Sequence, residues 1–188
     1  MQEVEVKFKL NNTIYGDVVD KISNQYSIQL SEKLQNDAIF LLPEQIDKPI
    51  IVGSKIMRIR RVKDASGEKE IMTLKVQTTQ ALVSDEYEFD ISSGDIAERM
   101  LIALGWEKDV DVVKKRSEGL VSGYGVCIDQ VEQLGVFIEL EKIVENSGQE
   151  TIKSIQEEMK SFLRALELDG EISMVPYDTQ IKNLRREL

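Results

Sequence analysis

Glu3-Val4-Glu5-Val6-Lys7-Phe8-Lys9-Leu10 alternates without a slip. Side chains along a strand point to opposite faces with period two. Glu3, Glu5, Lys7 and Lys9 therefore share one face, and Val4, Val6, Phe8 and Leu10 the other. A half-buried strand accounts for the apolar face alone. Two carboxylates followed by two ammonium groups need another reason, and the same device recurs along the chain. Arg58 and Arg60 oppose Met57 and Ile59, and Thr73, Lys75 and Gln77 oppose Met72, Leu74 and Val76. Glu86, Glu88 and Asp90 oppose Tyr87, Phe89 and Ile91. Lys114 and Arg116 sit two apart, as do Glu139 and Glu141, and Asp129 lies beside Val126 and Ile128.

Around these stripes the pattern reads as strands interrupted by three or four helices. Asn12 or Thr13 is placed to cap a short helix whose apolar positions are Ile14, Val18 and Ile22. Strands follow at about 34–42, 55–63, 71–77 and 85–91, with a turn over Asp64-Ala65-Ser66-Gly67-Glu68. A helix from Ser93 through Leu104 stops at Gly105, and strands are expected at 110–116, 124–130 and 136–143. Ser147-Gly148-Gln149-Glu150 has the capping-box pattern and opens a helix with Ile152, Ile155, Met159, Phe162 and Leu166 on one stripe. A short helix after Pro176 closes a chain read as one domain over 1–188.

Composition removes several kinds of chemistry. Histidine is absent, which excludes Ser-His and Cys-His catalysis, histidine bases and histidine-rich zinc sites. Cys127 is the single cysteine, so there is no internal disulfide, and a reducing, cytoplasmic setting is expected. A net charge of −10 argues against nucleic acid or an anionic membrane as the main partner. Catalysis, if present, runs on carboxylates, lysines, arginines, hydroxyls and a metal held by oxygen.

The amphipathic helices need an apolar surface, and the apolar side of the sheet is the large one on offer. If helices cover the outside of a closed or nearly closed antiparallel barrel, the charged stripes point inward. A solvated charged face is the competing reading of any single Glu-x-Glu or Arg-x-Arg. A cavity lined by both signs suits a metal-bound polyphosphate, with carboxylates for a hard divalent cation and Arg and Lys for phosphates.

Six ordered elements carry a family resemblance. They are Glu3-Val4-Glu5-Val6-Lys7, Arg58-Ile59-Arg60, Thr73-Leu74-Lys75, Glu86-Tyr87-Glu88, Lys114-Lys115-Arg116 and the segment from Asp129 to Glu141, DQVEQLGVFIELE. The chain resembles the CYTH superfamily of triphosphate tunnel metalloenzymes, and the last segment resembles its class IV adenylate cyclase branch. The resemblance implies an α+β fold, a closed eight-stranded antiparallel β-barrel with helices packed outside. It also implies a small-molecule triphosphate substrate and Mg2+ or Mn2+, in a monomer or homodimer. Carried over, Glu3, Glu5, Glu139 and Glu141 are metal ligands or their support, with Asp129 nearby. Lys7, Arg58, Arg60, Lys75, Lys114 and Arg116 bind phosphates, Lys75 and Arg60 act in catalysis, and Glu86 and Glu88 line the wall.

Two places depart from the family pattern. Asp37-Ala38-Ile39-Phe40 has isoleucine where D-x-Y-F has tyrosine, which weakens a thiamine triphosphatase reading. Ser173-Met174-Val175-Pro176-Tyr177 is a loose echo of the cyclase branch's Ser-Tyr segment. The expected reaction is cyclisation of ATP to cyclic AMP and pyrophosphate. Its alternative is hydrolysis of thiamine triphosphate, inorganic tripolyphosphate or a nucleoside triphosphate. A polyphosphate-binding protein without turnover is a third reading, disfavoured because both charge sets are present.

Overall fold

The computed structural model describes residues 2–78, 82–145 and 148–186. The alternating segments become β1 (Gln2–Leu10), β2 (Ser31–Leu41), β3 (Lys55–Asp64), β4 (Gly67–Gln77) and β5 (Val83–Ile91). They continue as β6 (Glu107–Val121), β7 (Tyr124–Val131) and β8 (Gly135–Val144). Neighbours pair antiparallel in the order β5-β4-β3-β2-β6-β7-β8-β1, and β1 returns to β5, so eight strands close into a barrel. Short turns set the registers. Ser122 and Gly123, both left-handed at φ 52° and 82°, join β6 to β7 in a two-residue hairpin.

A ninth strand, β9 (Gly170–Ser173), lies outside the sequence reading. The second edge of β1 is divided, with Gln2–Val4 pairing β5 and Lys7–Leu10 pairing β9. Gly170 makes this approach possible: a Cβ there would sit 2.3 Å from the Lys9 carbonyl oxygen.

The helices are α1 (Tyr15–Tyr26), α2 (Gly94–Ala103), α3 (Gln149–Ala165) and α4 (Tyr177–Arg186). Apolar faces of β1, β7 and β8 pack under α1 and α3, through Val4, Val6, Ile128, Ile138 and Leu140 against Val18, Ile22, Met159 and Leu163. Helix α2 covers β2 and β3, with Ala97 and Leu101 on Phe40 and Ile59. Helix α4 seats Tyr177 and Ile181 against Ile39, Val110, Val112, Val131 and Phe137 at one end of the barrel. Helices cover the apolar faces of β1, β2, β3, β7 and β8, Tyr87 and Phe89 on the outer face of β5 stay exposed, and the charged faces turn inward. Among the described residues, no helix is long and apolar enough to cross a membrane.

The helix starts need correction. Ile14 is the N-cap of α1 and is 68% exposed, while Tyr15 takes the inward position with Val18 and Ile22. Among the described residues no side chain caps that end, because the N-cap Ile14 offers no acceptor, and the Thr13 hydroxyl donates to the Asn11 carbonyl. Gly148 is the N-cap of α3, and Ser147 lies outside the described residues. Ser93 caps α2 as expected, accepting from the Ile96 amide. On α3, Phe162 is only partly buried, and Leu163 takes the core position beside Met159.

Candidate active site

The inward faces of the strands enclose a cavity of about 310 Å³. Its wall includes the cations Lys7, Arg58, Arg60, Lys75, Lys114 and Arg116. Glu3, Glu5, Glu86, Glu88, Glu139 and Glu141 face the same space. Asp129 is fully buried in the wall behind Lys114 and Arg116.

One side of this wall is self-neutralised. Arg116 stands opposite Asp129 in the β6–β7 register and grips it with a fork, Nε to Oδ1 at 2.7 Å and Nη2 to Oδ2 at 2.6 Å. Arg116 also pairs with Glu139, and its Nη1 reaches Glu141 Oε1 at 3.1 Å. Lys114 Nζ meets Asp129 Oδ2 at 3.0 Å, and Lys7 pairs with Glu5 and with Glu139 at 2.8 Å. Burial pushes the Glu139 carboxyl up, but Lys7, Arg116 and Lys114 outweigh it and hold the group well below the usual range.

A second fork joins Arg60 to Asp37, its register partner across β2 and β3, at 2.6 and 2.7 Å. Burial opposes ionisation of Asp37, yet the Arg60 guanidinium keeps its carboxyl below the usual range. Arg58 Nη2 donates to Thr73 Oγ1 at 3.0 Å and to Glu88 Oε2 at 3.1 Å. The Nε of Arg58 is buried with no partner among the described residues, a donor left for something in the cavity. Lys75 pairs with Glu86 at 2.5 Å.

Glu3, Glu5 and Glu141 form the other regime. One carboxylate oxygen from each lies within 4.8 Å of the others. Burial pushes the Glu3 carboxyl up to about 7, with Glu86 and Glu141 adding to the shift and Lys75 opposing it. Glu86, despite its burial, is held low by Lys75 and by a hydrogen bond with Glu3. Three convergent carboxylates offering only oxygen are a donor set that fits a hard divalent cation.

A family model described as the CYTH domain matches residues 1–174. The chain belongs to the CYTH family. Solved structures of the same fold include the PH1819 protein from Pyrococcus horikoshii OT3, with TM-score 0.78 and 22% identity, covering 97% of this chain and 99% of that one. A candidate adenylate cyclase from Vibrio parahaemolyticus aligns with TM-score 0.69 and 18% identity, over 93% of this chain and 94% of that one. A chain of the Schizosaccharomyces pombe Mediator head module aligns with TM-score 0.64 and 14% identity, over 90% and 98%. No curated protein matches the sequence. These likenesses establish the fold, and the chemistry has to be argued from the side chains.

In this CYTH protein, sequence reasoning gave no role to several residues at the site, among them Lys33 and Glu118, which pair with each other at its wall. Asp37 carries the Arg60 fork, and its inward position follows from the period that places Lys33, Gln35 and Asp37 on one face. Tyr177 and Asp178, at the start of α4, also line the cavity, and only their place on an amphipathic helix hints at burial. Ile39, at the departure from D-x-Y-F, lines the cavity beside a register shift between β2 and β6. Lys9, Asp90 and Lys115, although part of the charged stripes and motifs, stay apart from the main cluster. Lys9 lies over the Phe137 ring at 5.9 Å, Lys115 pairs with Glu32, and Asp90 is exposed. Cys127 is buried, and burial pushes its thiol up, which suits a packing group.

Proposed function

We propose that this protein is a divalent-metal-dependent enzyme acting on a triphosphate inside the tunnel, and that it converts ATP to cyclic AMP and pyrophosphate. The observation that carries the reading is the convergence of a carboxylate triad and seven cationic side chains on one cavity. Glu3, Glu5 and Glu141 would hold Mg2+ or Mn2+. Glu139 and Asp129 would support them indirectly, since among the described residues each already meets two cations, whereas Glu5 and Glu141 each meet one. A bound hard cation would neutralise phosphate-oxygen charge and favour in-line displacement.

The chain's own groups supply the rest. Arg58 offers its free Nε, and Lys7, Lys114 and Arg116 give the phosphates a cationic bed. Arg60, fixed by Asp37, and Lys75, fixed by Glu86, would stabilise charge that grows on the equatorial oxygens. In cyclisation the ribose 3′-oxygen bonds to the α-phosphorus and loses its proton, while the bond from that phosphorus to the bridging oxygen breaks and pyrophosphate leaves. The segment from Asp129 to Glu141 favours this reaction.

One observation favours hydrolysis as a second reading. Tyr177 is the only aromatic residue among the described cavity-lining residues, and two lysines already lie over its ring, so no free ring is offered to a base. Water would then attack the terminal phosphorus, the bond from that phosphorus to the bridging oxygen would break, and the diphosphate would leave as orthophosphate forms, with Ile39 counting against the tyrosine-assisted route. Product analysis with Mn2+ and Mg2+ against ATP, thiamine triphosphate and tripolyphosphate tests the proposal. Cyclic AMP with pyrophosphate supports cyclisation, and orthophosphate selects the second reading. Metal-dependent binding without any product overturns the enzymatic assignment.

A further inference from the structure

Helix α4 delivers one aromatic ring into the charged tunnel. Tyr177 is its first residue and is buried, with its ring meeting Phe137 edge-on at 4.9 Å. Lys7 Nζ lies 5.0 Å from the ring centroid and Lys114 Nζ lies 5.1 Å from it. The phenol donates to Asp129 Oδ2 at 3.2 Å, the oxygen that also accepts from Lys114 at 3.0 Å. Helix α4 is itself tied down, by Lys182 to Asp109 at 2.7 Å, by Arg186 to Asp47, and by Ile181 in the apolar cluster.

We propose that Tyr177 is a positioning residue that holds the Lys7 and Lys114 ammonium groups around one ring as a two-point clamp for a phosphate of the substrate. The proposal rests on the triphosphate reading above. Lysine has a long flexible stem, and a carboxylate that fixes it also consumes its charge. An aromatic face holds an ammonium through its quadrupole and leaves the full positive charge and free N–H donors for an anion. Lys7 already has Glu5 and Glu139, and Lys114 has Asp129, so without the ring each would settle wholly onto its carboxylates. Burial, followed by Glu139 and Asp129, keeps the phenol protonated, so it acts as a donor and not as a base that activates water.

The test measures tripolyphosphate binding by calorimetry with Mg2+ present, alongside KM and kcat on whichever triphosphate is turned over. Tyr177→Phe keeps the ring and should bind within about twofold of wild type. Tyr177→Leu should weaken binding and raise KM by about tenfold while kcat changes little. Fluorinated phenylalanines placed at position 177 keep the ring's shape while draining its quadrupole. They should weaken binding stepwise with each added fluorine, at unchanged melting temperature. This series keeps the proposal testable if the leucine variant folds poorly. Equal binding across the fluorine series overturns the clamp. Equal loss in Tyr177→Phe and Tyr177→Leu also overturns it, because the hydroxyl would then carry the effect. A wild-type protein that neither binds nor turns over any triphosphate removes the functional reading itself, and the clamp falls with it.

Discussion

Asp129 and Glu3 lie on inward faces of the same barrel, yet their charges are met in opposite ways. Asp129 receives a fork from Arg116, an ammonium from Lys114 and the Tyr177 hydroxyl, all within 3.2 Å. Glu3 has Glu5 and Glu141 for neighbours, shares a hydrogen bond with Glu86, and has the Lys75 charge as its main counterweight. A buried carboxylate met by four donors is a structural brace. One pressed against others of its own sign, with its pKa driven up, waits for a proton or a cation. The difference separates scaffold from candidate metal cradle within a single family motif set.

The sharpest way to break this contrast is to remove the brace. Asp129→Ala leaves Lys114 and Arg116 buried with fewer counter-charges and takes the acceptor from Tyr177. Stripping one partner from a buried, paired network costs about 3–5 kcal/mol. Urea unfolding should show a loss of that size, with activity falling because the protein unfolds. Near wild-type stability would mean that Asp129 does not anchor this wall.

Glu141→Gln probes the other regime. The amide keeps the shape but loses the charge that a hard cation requires, and it relieves crowding among three carboxylates. Stability without metal should stay within about 1 kcal/mol of wild type, since the lost Arg116 contact is one of several. Metal-dependent turnover should fall by on the order of a hundredfold or more, beyond the range for groups that only support a ligand. Full activity at limiting Mn2+ would remove Glu141 from the cradle. A stability loss as large as that of Asp129→Ala would erase the distinction between the two clusters.

The inward and outward assignment was legible because a period of two leaves no ambiguity once one face is covered. Glu3, Arg58, Lys75 and Glu139 all face the cavity as β1 and its counterparts implied. What could not be read was who meets whom. The Asp129–Arg116 and Asp37–Arg60 forks depend on strand registers set by turns far from either residue. Strand β9 is four residues long and is held by its fit against β1, with Gly170 allowing the close contact. What Tyr177 meets was hidden for a similar reason, because an amphipathic helix reveals a buried face without telling what lies beneath it. At α1, Ile14 and Tyr15 both fit a stripe with Val18 and Ile22, and the local geometry of the helix start decides between them.

The smallest effect expected is a pH dependence in which the share of the cradle is separable, because the Asp178 carboxyl, also raised by burial, adds a slope of the same sign that a change at Glu3 does not remove. In the folded protein the Glu3 carboxyl sits near 7, above its ordinary value of 4.5, so the folded state holds a proton that the unfolded chain has released. The stability this contributes is full below about 4.5 and is lost as pH rises through 7. Glu86 is shifted down, and its contribution changes only below about 4.5, outside the window that matters. With metal chelated, the melting temperature should therefore decline between about pH 5 and 8. Glu3→Gln should make that decline shallower, whereas any slope from Asp178 or from the net charge of −10 should persist in both proteins. Added Mn2+ should reverse the trend in wild type, because binding displaces the proton and stabilises the folded state more at higher pH. Parallel slopes for wild type and Glu3→Gln would show that Glu3 is not protonated in the fold, and the contrast with Asp129 would lose its electrostatic basis.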